Sequence, residues 1–194
     1  MTRGTRFAVL LVALSVVAAA AFAGGVTAAE DASVTAEPTA SGATVTQTVT
    51  VGETSAGAWT GITVNYTGSG ADAGDVTRAD LQRVGVDAGD DGTGDAIDRE
   101  VGMGVQSVRA SDDGAVLTVT LDGSATVEAG DELVLVYDNV TNPMAGEWAV
   151  GVDVNPDESG GTTTATLATG DASMGDETMS DDSMDDGDST NNET

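Results

Sequence analysis

No cysteine and no histidine occur in the 194 residues, and lysine is absent too, so the six basic residues are arginines at positions 3, 6, 78, 83, 99 and 109. Without cysteine there is no disulfide, no thiol nucleophile and no lipoprotein anchor. Without histidine the usual general base and the ordinary zinc and copper ligands are missing. Catalysis would then rest on Asp, Glu, Ser, Thr or Tyr, and carboxylate-pair glycoside hydrolysis is the main chemistry left. No pair stands out among the 33 acidic residues, so the expectation is a protein that is not an enzyme.

The acids are what the chain has in excess. The formal net charge is −27. With the two arginines of the amino-terminal segment set aside, 33 acids face four arginines, for a charge near −29. Such a field repels nucleic acid and anionic headgroups, so nucleic acid is excluded as a partner. Carboxylates hold water and keep a protein dispersed. Their mutual repulsion is tolerable where salt near 1 M cuts the Debye length to about 3 Å. A very salty medium is the expected setting.

Residues 1–29 read as an export signal. Arg3 and Arg6 form a cationic start, Phe7 to Ala23 carry no charge, and Ala21-Phe22-Ala23 and Thr27-Ala28-Ala29 each offer a small-residue cleavage site. The apolar run falls short of the roughly 20 residues a spanning helix needs. Cleavage is favoured; the alternative is an uncleaved amino-terminal anchor, the one route by which the membrane enters. The arginines are not adjacent, which leaves a twin-arginine signal unsupported and a Sec-type signal expected. The location that follows is extracellular or at the cell surface.

Residues 30–42, small and polar with Pro38, read as a lead-in segment. From Ala43 the pattern has a period of two. Ala43, Val45, Val49 and Val51 fall on one face, threonines fall on the other, and Gln47 interrupts the apolar side. Further strands follow over Trp59–Tyr66, Val84–Val86, Val105–Arg109, Ala115–Leu121, Leu133–Tyr137, Trp148–Val154 and around Ala165 and Leu167. Thr77 caps a short helical turn ending at Leu81. Asp112-Asp113-Gly114 makes the 105–121 pair a hairpin, and Asp122-Gly123 closes its second strand. About seven or eight short strands over 43–169, with no long amphipathic helix, predict an all-β, antiparallel sandwich. After Thr169 the composition changes to acids with almost no aliphatic residue, and 170–194 reads as a disordered acidic tail.

The text VEAGDELVLVYDNVTNP, followed by AGEWAVGVDVNP, resembles the closing part of Ig-like domains in haloarchaeal secreted and cell-surface glycoproteins. The resemblance, with the signal and the acidic body, spans most of the chain and implies an Ig-like β-sandwich in a glycoprotein envelope. It brings no catalytic residue. Such proteins often end in a Pro-Gly-Phe sorting motif and a hydrophobic helix, neither of which stands before Thr194, so release or retention by the amino-terminal segment or a partner is the expectation.

Asn65-Tyr66-Thr67, Asn139-Val140-Thr141 and Asn192-Glu193-Thr194 are N-glycosylation sequons. Asn139, in an expected loop, is the first choice; Asn65 is expected to be shielded within a strand. Asp87, Asp90, Asp91 and Asp95 crowd one glycine-rich loop and offer calcium hard oxygen ligands, but Gly89 stands at the third EF-hand position and no Glu at the twelfth. A solvated loop is favoured, and no cofactor is expected beyond weak calcium binding there. Met174, Met179 and Met184 could ligate copper(I), although low-complexity repetition explains their five-residue spacing better. Trp148 is expected in the core, and Trp59 is open between core and sugar platform. The function expected is a noncatalytic module with a structural, adhesive or assembly role, its partners other envelope proteins or glycans. Alternatives are an extracytoplasmic solute- or metal-binding protein and, behind it, a carboxylate-dependent glycosidase.

Overall fold

A computed structural model describes residues 31–52, 54–89, 97–157 and 162–171. The signal segment and the acidic tail beyond Asp171 lie outside these residues. Ten strands follow in chain order: β1 (Asp31–Glu37), β2 (Thr44–Gly52), β3 (Gly57–Asn65), β4 (Leu81–Asp87), β5 (Arg99–Glu100), β6 (Val105–Ser111), β7 (Val116–Val127), β8 (Glu132–Thr141), β9 (Gly146–Val154) and β10 (Thr162–Thr169). They form two five-stranded sheets, ordered β1-β2-β8-β4-β5 and β10-β9-β3-β7-β6, and every strand pair is antiparallel. The all-β sandwich expected from the period-2 pattern is what the chain builds.

One face of each sheet is aliphatic, and the two aliphatic faces meet. Val45, Val49 and Val51 of β2 and Leu133 and Leu135 of β8 pack toward Ile62 and Val64 of β3, Leu117 and Val119 of β7 and Val150 and Val152 of β9. Alternation then forces the polar residues outward. The outer faces carry mostly hydroxyls: Ser33, Thr35, Thr46, Thr48 and Thr50 on the first sheet, and Thr63, Ser107, Thr118 and Thr120 on the second. Neighbours across strands bond to each other, as Ser33 does to Thr50 (2.6 Å) and Thr63 to Thr118 (3.1 Å).

Two segments differ from the sequence expectation. Residues 31–37, read as part of a polar lead-in, are edge strand β1, paired with β2 from Asp31↔Gly52 to Glu37↔Thr46. Its apolar share is small, but Val34 and Ala36 are buried, and an edge strand needs only one such face. Asp122-Gly123, read as a strand end, is instead a bulge. β7 pairs Thr120 with Gly61, then resumes with Ala125 opposite Trp59, and the residues between loop out around Gly123 at φ +93°. The bulge lets β7 run on to Val127.

Asn155, just after β9, ties that strand's end to β3. Its Oδ1 accepts from the Thr60 N–H (2.7 Å) and hydroxyl (3.0 Å), its Nδ2 donates to the Ala58 carbonyl (2.7 Å), and its backbone N–H donates to the Gly61 carbonyl (2.9 Å). The backbone there stands at φ +57°, which asparagine tolerates better than most residues. Asn155→Ala is expected to lower unfolding free energy by about 2 kcal/mol, because buried carbonyl and amide groups lose their partners. A urea midpoint unchanged from the parent would contradict that account.

Candidate functional site

Among the described residues, the predicted sites Asn65 and Asn139 lie at one end of the sandwich, where β3 and β8 finish and β4 begins, and Asp87 stands at the other end of β4. β3 ends at Asn65, which is exposed; Tyr66 then turns into the core, and Thr67 returns to the surface. The Thr67 backbone N–H donates to Asn65 Oδ1 at 2.8 Å, which orients the carboxamide of an exposed residue. Asn65 is therefore not shielded, contrary to expectation, because the strand stops there.

Asn139 is exposed as well, at φ +67° near the end of β8. Its amide nitrogen is engaged: Nδ2 donates to Asp80 Oδ1 at 2.7 Å. Asp80 belongs to a 3₁₀ turn, Arg78–Asp80, headed by Thr77 as expected. Both the Thr77 hydroxyl (2.5 Å) and its backbone N–H (2.8 Å) donate to Asp80 Oδ2. The Thr77 hydroxyl above all, then its N–H and the Asn139 amide, hold the Asp80 carboxyl below its ordinary range. The site at Asn139 is thus a closed hydrogen-bond cluster. Asn192 lies outside the described residues.

Of the acidic loop, Asp87 is the last residue of β4 and is buried, and Asp90, Asp91 and Asp95 lie outside the described residues. Among the described residues no group of three or more acidic side chains is placed to hold a metal ion. Met174, Met179 and Met184 also lie outside them.

Trp59, left open by the sequence, is the core tryptophan, and Trp148, expected in the core, is only half-buried. Trp59 is fully buried and its Nε1 donates to the Gly61 carbonyl at 2.9 Å, so it is no sugar platform. Trp148 shares the inward face of Val150 and Val152, but it stands near the start of β9 and is half-buried, with its Nε1 on the Met144 carbonyl (2.9 Å).

Inside the core lies a polar cluster that the sequence hinted at only through Gln47 breaking an apolar face. Gln47 and Tyr137 are direct cross-strand partners on β2 and β8, and Tyr66 reaches them from the end of β3. The Tyr66 hydroxyl donates to Gln47 Oε1 and is bonded to the Tyr137 hydroxyl; Tyr137 stands 3.4 Å from the same Oε1. All three side chains are fully buried, and Gln47 Nε2 has no partner among the described residues. Burial pushes both phenols well above their ordinary range. The cluster pins the two sheets together and has no opening to a substrate.

On the outer face of the second sheet a shallow depression of about 510 Å³ is lined by Thr60, Thr63, Ser107, Arg109, Thr118 and Thr120, with Asp157 its one carboxylate. Paired-carboxylate hydrolysis needs two. Elsewhere on the second sheet, burial pushes the Asp153 carboxyl up from its ordinary value.

No family of known sequences matches the chain, and no curated protein matches it. Solved structures give distant likenesses. The crystal structure of BslA, a bacterial hydrophobin, aligns over 75% of this chain and 96% of its own at 14% identity, with a TM-score of 0.39. The C-terminal domain of the Streptococcus pyogenes antigen I/II-family protein AspA aligns over 75% of this chain and 46% of its own at 13% identity, with a TM-score of 0.32. At this distance each is a likeness of strand architecture and of nothing further.

Proposed function

We propose that the chain is an exported, noncatalytic surface module that serves as a structural or assembly element of an envelope in a salty medium. The observation that carries this reading is the division of its residues: aliphatic side chains fill the space between the sheets, and hydroxyls line the outer faces of β1, β2, β3, β7 and β10. Such faces hydrate well at high salt without charge repulsion, which suits a spacer packed among neighbours. The signal-like segment and the acid excess support export, and the exposed sequons support a glycoprotein.

Between the described sequons, the geometry favours Asn65. Asn65 is exposed and its hydrogen bond engages only the carboxamide oxygen, whereas the Nδ2 of Asn139 is held by Asp80. Intact-mass analysis of the native protein from membrane and medium fractions tests both parts. The expected product begins after Ala23 or Ala29 and carries a glycan mass that Asn65→Gln removes and Asn139→Gln leaves. An unprocessed chain in the membrane pellet would sink cleavage, and a glycan lost only in Asn139→Gln would reverse the choice of site.

A further inference from the structure

The four arginines beyond the amino-terminal segment are far apart in sequence, at 78, 83, 99 and 109, yet they share one side of the sandwich. Arg78 sits in the 3₁₀ turn before β4, Arg83 on β4, Arg99 on β5 and Arg109 on β6. β5 and β6 are the two edge strands on that side. The opposite edge, β1 and β10, has no basic residue. Among the described residues this is the one region where positive charge collects.

Two of these arginines line a single cleft of about 340 Å³. Arg78 and Arg83 stand beside the half-buried Leu81 and the exposed Met103, over the buried Val84, with Glu100 the one carboxylate in the lining. Met103 is 99% exposed. β5 pairs with β4 only at Gly85 and Val86, so the β4 edge before them borders the cleft. Guanidinium groups next to exposed apolar surface suit an extended acidic peptide with apolar residues spaced along it.

The chain itself contains such a peptide. Residues 172–194 hold eight acids, no base and three methionines, in the run Met179-Ser180-Asp181-Asp182-Ser183-Met184-Asp185-Asp186. The described chain leads toward it at the same end of the sandwich as the cleft. Gly170 bridges to Ala40, the Gly42 N–H donates to the Asn142 carbonyl just after β8, and β4 begins opposite Tyr137 of β8. From the β1 side to β4 is three strand spacings, roughly 15 Å. Met179 is eight residues beyond Asp171, about 26 Å of extended chain, so the acidic run reaches the cleft with length to spare.

We propose that residues 174–186 dock in the Arg78–Arg83 cleft of the same molecule, with carboxylates on the guanidinium groups and methionines against Leu81 and Met103. Each exposed ion pair contributes little, but a short tether holds the segment at millimolar effective concentration. Docking covers the basic side and leaves the module acidic all round.

The absence of cysteine allows one nitroxide to be placed on Ser180→Cys in the full chain. Amide signals of Arg78–Val84 and Met103 are expected to broaden, and those of β10 to stay sharp. Arg78→Gln with Arg83→Gln should reduce the broadening at least about threefold. Asn in place of Asp181, Asp182, Asp185 and Asp186 should do the same from outside the sandwich, so the test survives if the arginine variant misfolds. Broadening that is absent, or unaffected by the acid substitutions, overturns the proposal. So does broadening that appears only when label and isotope are on different molecules, which would place the segment on a neighbour.

Discussion

Trp59→Ala is expected to lower the unfolding free energy by about 3–5 kcal/mol, and Trp148→Ala by no more than about 1.5 kcal/mol. Trp59 has no exposed surface, packs in the core cluster and has its indole N–H satisfied by Gly61. Its removal leaves a large cavity between two sheets, each held rigid by its own strand ladders, that cannot readily collapse into it. Trp148 is half-buried near the start of β9, where water replaces it at little cost. Urea unfolding of the two variants measures both. Equal losses would mean that the core does not extend to Trp59 as described.

The pair also shows where sequence periodicity stops being informative. Trp148 is in phase with Val150, Val152 and Val154, and the period correctly gives its face but says nothing about its distance from the middle of the sheet. Trp59 is out of phase with Ile62 and Val64, so strict alternation cannot place it with them. A register shift between Trp59 and Gly61 supplies the missing residue and turns the indole inward. A bulge of this kind depends on the partner strand, here the loop-out of β7 around Gly123, and no local pattern at Trp59 announces it. β1 was hidden for a related reason: seven residues with two buried apolar side chains make a strand only because β2 is there to pair with them.

The candidate sites show the same limit. The Asn-x-Thr spacing is legible in sequence, but which amide is free depends on Asp80 reaching Asn139 across 59 positions. The sequence expectation of a loop at Asn139 and a shielded strand at Asn65 missed that difference. The gathering of Arg78, Arg83, Arg99 and Arg109 on one side likewise follows from strand order, with β5 and β6 the edge strands of the two sheets and β4 next to β5. Gln47 was the one local clue to the interior cluster, since an amide within an alternating apolar face must meet a partner or destabilise the core.

That cluster makes the protein's alkaline stability a two-residue problem. Tyr66 and Tyr137 are the only tyrosines in the chain, and with no lysine, cysteine or histidine they are the only side chains expected to titrate between about pH 9 and 12. Burial, the leading cause in both, raises their folded pKa values above the unfolded value near 10, with the Tyr137 charge and hydroxyl adding to the rise at Tyr66. A raised acid stays protonated in the folded state while the unfolded chain gives up its proton. Its contribution to stability is therefore complete below pH 10 and is lost as pH climbs above it. Each proton is worth about 1.4 kcal/mol per pH unit, so two give a slope of about 2.7 kcal/mol per unit. By pH 11.5 the loss should reach about 4 kcal/mol, a large part of the stability of a typical domain. Urea midpoints should fall steeply only above pH 10, and tyrosinate absorbance should rise only as the sandwich unfolds. Tyr66→Phe should start less stable at neutral pH, because Gln47 Oε1 loses its shorter hydroxyl bond, and yet show about half the alkaline slope. Tyrosinate appearing near pH 10 with the fold intact would show that the hydroxyls reach solvent and that the cluster is not closed.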